Sequence, residues 1–253
     1  MPFQELINNA SEKLAKADRL VVLTGAGVSA ESGIATFRDA MQGLWAKFNP
    51  EELASPSGFR RDPKLVWEWY EERRSNVARN RPNPAHYALA ELEKIFLSSN
   101  RKFTLVTQNV DGFHMQAGSN NVLELHGNIV KNRCFREDRL LSDAEIERET
   151  VPPKCKHCGS YVRPGVVWFG ENLPQDTLSE AFEKAEKADY CLVIGTSGLV
   201  QPAASIPVVA RQSGAFVVEI NSLESAITPI SHIFLQGKAG ETLPQIVTEI
   251  KKY

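Results

Sequence analysis

The sequence predicts an α/β protein, a doubly wound parallel sheet with helices on both faces, carrying a smaller inserted domain. Short apolar runs, RLVVLT at 19–24, KFTLVT at 102–107, YCLVI at 190–194 and AFVVEI at 215–220, alternate with amphipathic stretches. That is the pattern of strands buried on both faces and joined by crossover helices. Three strand ends carry small or polar residues, Thr24-Gly25-Ala26-Gly27, Gln108-Asn109-Val110-Asp111 and Gly195-Thr196-Ser197. Ligands of open parallel sheets sit beyond the carboxyl ends of the strands, so these segments are expected to meet at one crevice. Two further stretches break the alternation and are read as insertions.

In chain order, residues 3–17 have helical periodicity, and 19–24 form a strand that stops at Gly25. Helices are expected at 62–79, after the loop around Pro56, and at 84–96, where Pro84 suits a first turn. Strands at 102–107, 190–194 and 215–220 are separated by helical stretches such as 176–188 and 202–213. Residues 1–38, 83–127 and 165–253 are assigned to the sheet domain, 39–82 to a helical insertion, and 128–164 to a module holding three of the four Cys.

A chain of 253 residues, 42% hydrophobic, can bury a large core. Its net charge of −2 offers no basic excess for nucleic acid or an anionic membrane, so no general nucleic-acid binding is expected. The first twenty residues lack a continuous apolar core, and no run of 18 apolar residues follows, which predicts a soluble cytoplasmic protein. Four Cys in this length do not make a disulfide framework, and Cys155-Lys-His-Cys158 has metal or redox spacing.

In GAGVSAESGIATFR, residues 25–38, the glycines permit a tight turn and close approach of backbone N–H groups to a pyrophosphate, as in a Rossmann-like nucleotide site, or a glycine-rich turn of purely structural use. Ordinary hydride transfer is disfavoured, because residues 36–48 contain no second strand ending in an acidic residue. Glu219 and Asn221, at the end of a later strand, are better placed to meet a ribose. In VWEWYEERR, residues 66–74, Tyr70 and Arg73 stand three apart on a helix and so share a face. Arg73 can pair with Glu71 or Glu72 at the surface, or join Tyr70 in one pocket.

GAGVSAESGIATFR, TQNVDGFH at 107–114, LELHG at 123–127, CKHC, GVVWFGE at 165–171 and GTS at 195–197 occur in that order. Together they resemble the sirtuins, NAD-dependent protein lysine deacylases, over nearly the whole chain. The resemblance implies cleavage of the nicotinamide–ribose bond of NAD with an acyl-lysine oxygen as nucleophile, and transfer of the acyl group to the ribose. His126 of LELHG is then the general base for the ribose hydroxyls, a task suited to imidazole. His86, His114, His157 and His232 are left without a catalytic role.

The same resemblance places Gly25, Ala26 and Gly27 along the phosphates with Ser29 nearby, and Phe37 and Arg38 in a loop covering the cofactor. Gln108, Asn109 and Asp111 hold nicotinamide and its ribose, and Ile34 packs on that ring. Gly195, Thr196 and Ser197 meet phosphate and ribose, Asn221 the adenine ribose, and Ala239 the adenine. Acylated-lysine proteins or peptides are the expected partners, added as a strand between Val167-Trp168-Phe169-Gly170-Glu171 and Gly198-Leu199-Val200, with Trp168 walling the lysine tunnel.

Structural zinc in sirtuins uses two Cys pairs. Here Cys155 and Cys158 form one pair, but Cys134 is followed at the matching position by Glu137. Either Glu137, Asp138 or His157 supplies a fourth ligand, or the module folds without metal. Cys191 lies in an apolar strand and is expected to be a buried structural thiol. Ala54, sixteen positions before Tyr70, completes a class III, prokaryotic-type pattern in which a small residue opens room for a longer acyl chain. Tyr70 and Arg73 then become a clamp for the carboxylate of a succinyl or malonyl group, beside acetyl. The alternatives are a plain deacetylase, an ADP-ribosyltransferase or a non-catalytic NAD sensor.

Overall fold

A computed structural model describes residues 2–34, 49 and 53–253. The expected sheet is present. Its strands are β1 (Arg19–Thr24), β2 (Lys102–Thr107) and β3 (Val122–Glu124), then β9 (Tyr190–Ile194), β10 (Phe216–Asn221) and β11 (Ile233–Gln236). All pair in parallel in the order β11-β10-β9-β1-β2-β3. From β1 the chain winds outward through β2 and β3, then returns to the other side of β1 as β9. The order therefore reverses between β1 and β9, where crossovers leave to opposite faces and open a crevice at the strand ends.

Period-two alternation divides the strands between two cores. Leu20, Val22, Leu192 and Ile194 face one layer, with α1 (Phe3–Ala15), the helix Pro84–Ser98 and the helix Ala239–Ile250. Val21, Leu23, Cys191 and Val193 face the other, with the helices Gln175–Glu186 and Ile206–Gln212. Cys191 is thus the buried structural thiol expected, and burial pushes it up to about 12. The strands β3 and β11 and the last helix were not anticipated. The first is three residues long, and HIFLQ is too brief a run to separate strand from helix by periodicity.

A second lobe lies over the crevice. Its helices Pro56–Arg61 and Pro63–Arg79 start at Ser55 and Asp62, whose side chains accept from Gly58 N–H and Leu65 N–H, each with proline in the first turn. They bury Phe59, Val66, Trp69 and Tyr70 against Ile129, Val166 and Trp168. Arg74 pins the longer helix to the strand β4 (Gly127–Cys134). Its Nε donates to the Ile129 carbonyl over 2.6 Å, and Nη2 to the Lys131 carbonyl and Asn132 Oδ1. That strand pairs antiparallel with β5 (Leu140–Leu141) and β8 (Val162–Val166), while β6 (Ile146–Glu147) and β7 (Lys154–Cys155) form a small hairpin beside the cysteines.

The crevice is tight because its two loops touch. Gly25 N–H donates to the Ile194 carbonyl and Gly27 N–H to the Gly195 carbonyl, at 3.0 and 2.8 Å. A Cβ on Gly195, whose φ is +58°, would fall 2.5 Å from the Val28 nitrogen. Gly195→Ala should therefore lower stability by roughly 2–4 kcal/mol, the sum of left-handed strain and overpacking, read as a fall in the denaturant midpoint. An unchanged midpoint would mean that the loops separate freely.

Candidate active site

The crevice gathers most of the residues expected from the sequence. Gly25, Ala26, Gly27 and Ser29 follow β1, Gln108, Asn109 and Asp111 follow β2, and Gly195, Thr196 and Ser197 follow β9. Gln108 ties two of these loops, its Nε2 donating to Thr196 Oγ1 over 3.0 Å. Asn221 ties a third, its Nδ2 donating to the Thr196 carbonyl. Ala239 is buried at the first turn of the last helix, and Ile34 packs partly buried against the second lobe. Phe37, Arg38 and the expected lack of a second acidic strand over 36–48 lie outside the described residues. Glu219 departs from expectation. Its carboxylate is fully buried and held by the hydroxyls of Ser225 and Thr228, so it braces the loop after β10 and does not reach a ribose.

Beneath the crevice lies a buried polar network that includes residues given no role from the sequence. Asn83 N–H donates to His86 Nδ1 in a capping box at Pro84, so His86 carries its proton on Nε2, 3.4 Å from Ser29 Oγ. Asn109 Nδ2 donates to Ser29 Oγ and to the Gly25 carbonyl, both at 3.0 Å. Asp111 Oδ1 accepts from Phe113 N–H over 2.9 Å, and the neighbouring Ser29 hydroxyl favours its ionised form. Burial raises the Asp111 carboxyl above its ordinary value. His114 Nε2 lies 3.0 Å from Thr24 Oγ1, and its Nδ1 is buried without a hydrogen-bond partner among the described residues. The two imidazoles lie 4.8 Å apart. The sequence signal for His86 was available in Asn83-Pro84-Ala85-His86, where a cap precedes a proline by one position.

His126 lies at the crevice mouth, between β3 and β4. Its Nδ1 is 2.9 Å from the Gln108 carbonyl, which can only accept, so the proton sits on Nδ1 and the Nε2 lone pair is left for another partner. Burial lowers its pKa, keeping the ring neutral as a base. The His126 carbonyl accepts from Val167 N–H, which fixes the next segment. There Phe169 N–H donates to the Ala54 carbonyl over 2.9 Å, and Trp168 Nε1–H donates to Tyr70 Oη over 2.9 Å. Trp168 is both a buried aromatic, packed on Phe59, and a contact of Tyr70, whereas Phe169 is half-exposed and Gly170 turns at a φ of +83°. Arg73 lies with its guanidinium 4.9 Å from the Trp69 ring centre and 5.3 Å from that of Tyr70. Burial raises Tyr70 and lowers Arg73 from their ordinary values, the direction expected where water is scarce.

These features fit a dinucleotide. The glycines let the two loops approach with no side chain between them at the switch point, and Asn109 and Asp111 are anchored and buried at its floor. A zinc ion also fits the inserted module: the thiols of Cys134, Cys155 and Cys158 and a carboxylate oxygen of Glu137 all lie within 4.8 Å of one another. Of the three alternatives for a fourth ligand, Glu137 is the one in the cluster. Asp138 instead pairs with Arg133 and Arg163, and His157 binds the Glu137 carboxylate, with Arg139 Nε 2.9 Å from its other oxygen.

Two outcomes follow. His86 is held down to about 4 and His114 to about 3, burial being the main cause, against 6.5 when exposed. The unfolded chain then binds more protons than the folded one below pH 6.5, so stability should fall as pH drops from 6.5 towards 4, with a slope approaching about two protons. Unfolding free energies between pH 5 and 7 measure it, and His114→Gln should flatten the slope. Protein purified without chelator should hold one zinc per chain by metal analysis, and Cys155→Ser should release it.

Comparison with known proteins agrees with this geometry. The Sir2 family model matches residues 25–202. A relative from Pyrococcus furiosus named NAD-dependent protein deacylase is 52% identical over 98% of this chain and 99% of its own. A solved structure described as a Sir2 homolog–NAD complex is similar with a TM-score of 0.88 and 46% identity, covering 96% of this chain and 93% of that one. Another, Sir2Af2 bound to a myristoylated histone peptide, aligns with a TM-score of 0.79 and 41% identity over 98% of both. The chain belongs to the Sir2 family.

Proposed function

We propose that this chain is an NAD-dependent protein lysine deacylase that accepts acidic acyl groups, succinyl and malonyl, as well as acetyl. The acidic-acyl reading rests on one observation: Arg73, Tyr70 and Trp168 form a single cluster, with Ala54 tied beside it by its carbonyl's bond from Phe169 N–H. Tyr70 Oη accepts from Trp168 and keeps its own hydrogen, so it can donate to a carboxylate beside the Arg73 fork. In a pocket with little water such bonds discriminate more than they would in solvent.

NAD supplies a cleavable nicotinamide–ribose bond and a ribose to receive the acyl group. Gly25, Ala26, Gly27, Ser29, Gly195, Thr196 and Ser197 would line its phosphates and sugars, with Gln108, Asn109, Asp111 and Ile34 around nicotinamide and Asn221 and Ala239 towards adenine. Asp111 would accept from the carboxamide, an N–H donor that offsets the cost of burying this carboxylate. His126 Nε2 would take the proton from a ribose hydroxyl. Its depressed pKa leaves the neutral base available below the ordinary imidazole range. The acylated peptide would enter as a strand between residues 167–170 and 198–200, where Leu199 and Val200 are exposed, so backbone bonds would bind many sequences. A cytoplasmic location goes with this reading. No helix among the described residues is long and apolar enough to cross a membrane.

A panel of succinyl-, malonyl- and acetyl-lysine peptides with NAD tests both halves. Nicotinamide release should require an acyl peptide. Tyr70→Phe with Arg73→Met should lower desuccinylation about 100-fold, since each hydrogen bond to a charged group is worth about 1.5–3 kcal/mol, and deacetylation only about threefold. Arg73→Met alone controls for the lost Trp168 partner. Equal losses on both peptides would sink the acidic-acyl assignment.

A further inference from the structure

We infer that Arg163 is a positioning residue for acyl-peptide binding, holding the turn that carries Trp168 through a partly buried ion pair with Glu171. The inference rests on the deacylase reading above. Arg163 lies on β8, and its side chain is 2% exposed, unusual for an arginine. Both ends of its fork reach one carboxylate, with Nη1 3.1 Å from Glu171 Oε2 and Nη2 3.0 Å from Oε1. Glu171 Oε2 also accepts from Trp168 N–H over 2.8 Å, closing the turn on itself. The guanidinium carbon lies over the Trp168 ring, 4.1 Å from its centre. Arg163 thus fixes both the backbone and the indole of Trp168, and the indole in turn donates to Tyr70 Oη.

The other side of Arg163 faces the cysteine module. Across the ladder it is directly opposite Arg133, two like charges that would repel. Asp138, in left-handed conformation at a φ of +51°, brings Oδ1 to 2.8 Å from Arg133 Nη1 and 3.5 Å from Arg163 Nη2. Asp138 directly follows Glu137 of the cysteine cluster. One arginine therefore joins the metal module to the wall of the acyl pocket. Neither its stacking nor its two-pronged bond can be reproduced by a lysine.

The test compares Michaelis constants. Arg163→Met should raise KM for acyl-lysine peptide about tenfold, as loss of a charge-assisted bond pair predicts, and leave KM for NAD unchanged. Glu171→Gln, at a more exposed position, removes the same pair if Arg163→Met fails to fold, and should move the same constant. The double variant should be no worse than the poorer single one, because the residues act together. Arg163→Lys keeps only the charge and should recover no more than a small part of the loss. A fall in thermal stability with both KM values unmoved, or moved equally, would make Arg163 merely structural and overturn the inference. If the wild type hydrolyses only acetyl-lysine, the acidic-acyl reading fails by itself. The split between acetyl-peptide and NAD constants still decides the role of Arg163.

Discussion

Gly27 N–H meets the Gly195 carbonyl across the line where the sheet reverses direction, and the geometry of the site depends on that approach. A side chain at Gly25, Gly27 or Gly195 would collide with the opposite loop at under 3 Å. Because these loops close together, the ends of β1, β2 and β9 form one floor. Gln108 and Asn221 are then within reach of Thr196 and can tie the loops laterally.

From that floor the chemistry is layered by burial. The lowest layer is neutral: two imidazoles lie 4.8 Å apart in a region too dry to protonate them. Above it a polar chain runs from Asn83 through His86 to Ser29, beside the Asp111 carboxylate that Phe113 N–H orients. At the mouth, His126 has one nitrogen committed to backbone and one open. The tautomer follows from the acceptor it faces.

The sheet was legible because period and composition are local. Four apolar runs located four strands, and three of their ends located the crevice. Short strands such as β3 carry too few residues to show a period, and the inserted strands are set by pairing across distant segments. The motif residues were legible as a set. His86 showed only as a helix cap and His114 not at all, since a buried histidine is typed by what surrounds it, and those neighbours, Thr24, Ser29 and Phe113, come from distant segments. The role of Glu219 was misread for the same reason: its position at a strand end pointed outward, but two hydroxyls from the following loop close over it. In VWEWYEERR, charge alone could not separate two adjacent arginines. Arg74 is the backbone anchor and Arg73 the one lying over the Trp69 and Tyr70 rings.

On the proposed reading, that anchor has a consequence for how an acyl group would be recognised. Arg74 holds its helix to β4 by bonds to two carbonyls and an amide, and Arg73 and Tyr70 ride on the same helix. Their rotamers are already restricted by stacking before any acyl chain arrives. Little conformational entropy would then remain to be lost if the proposed acyl group bound there, so a ligand of a few carbons would meet a rigid receptor.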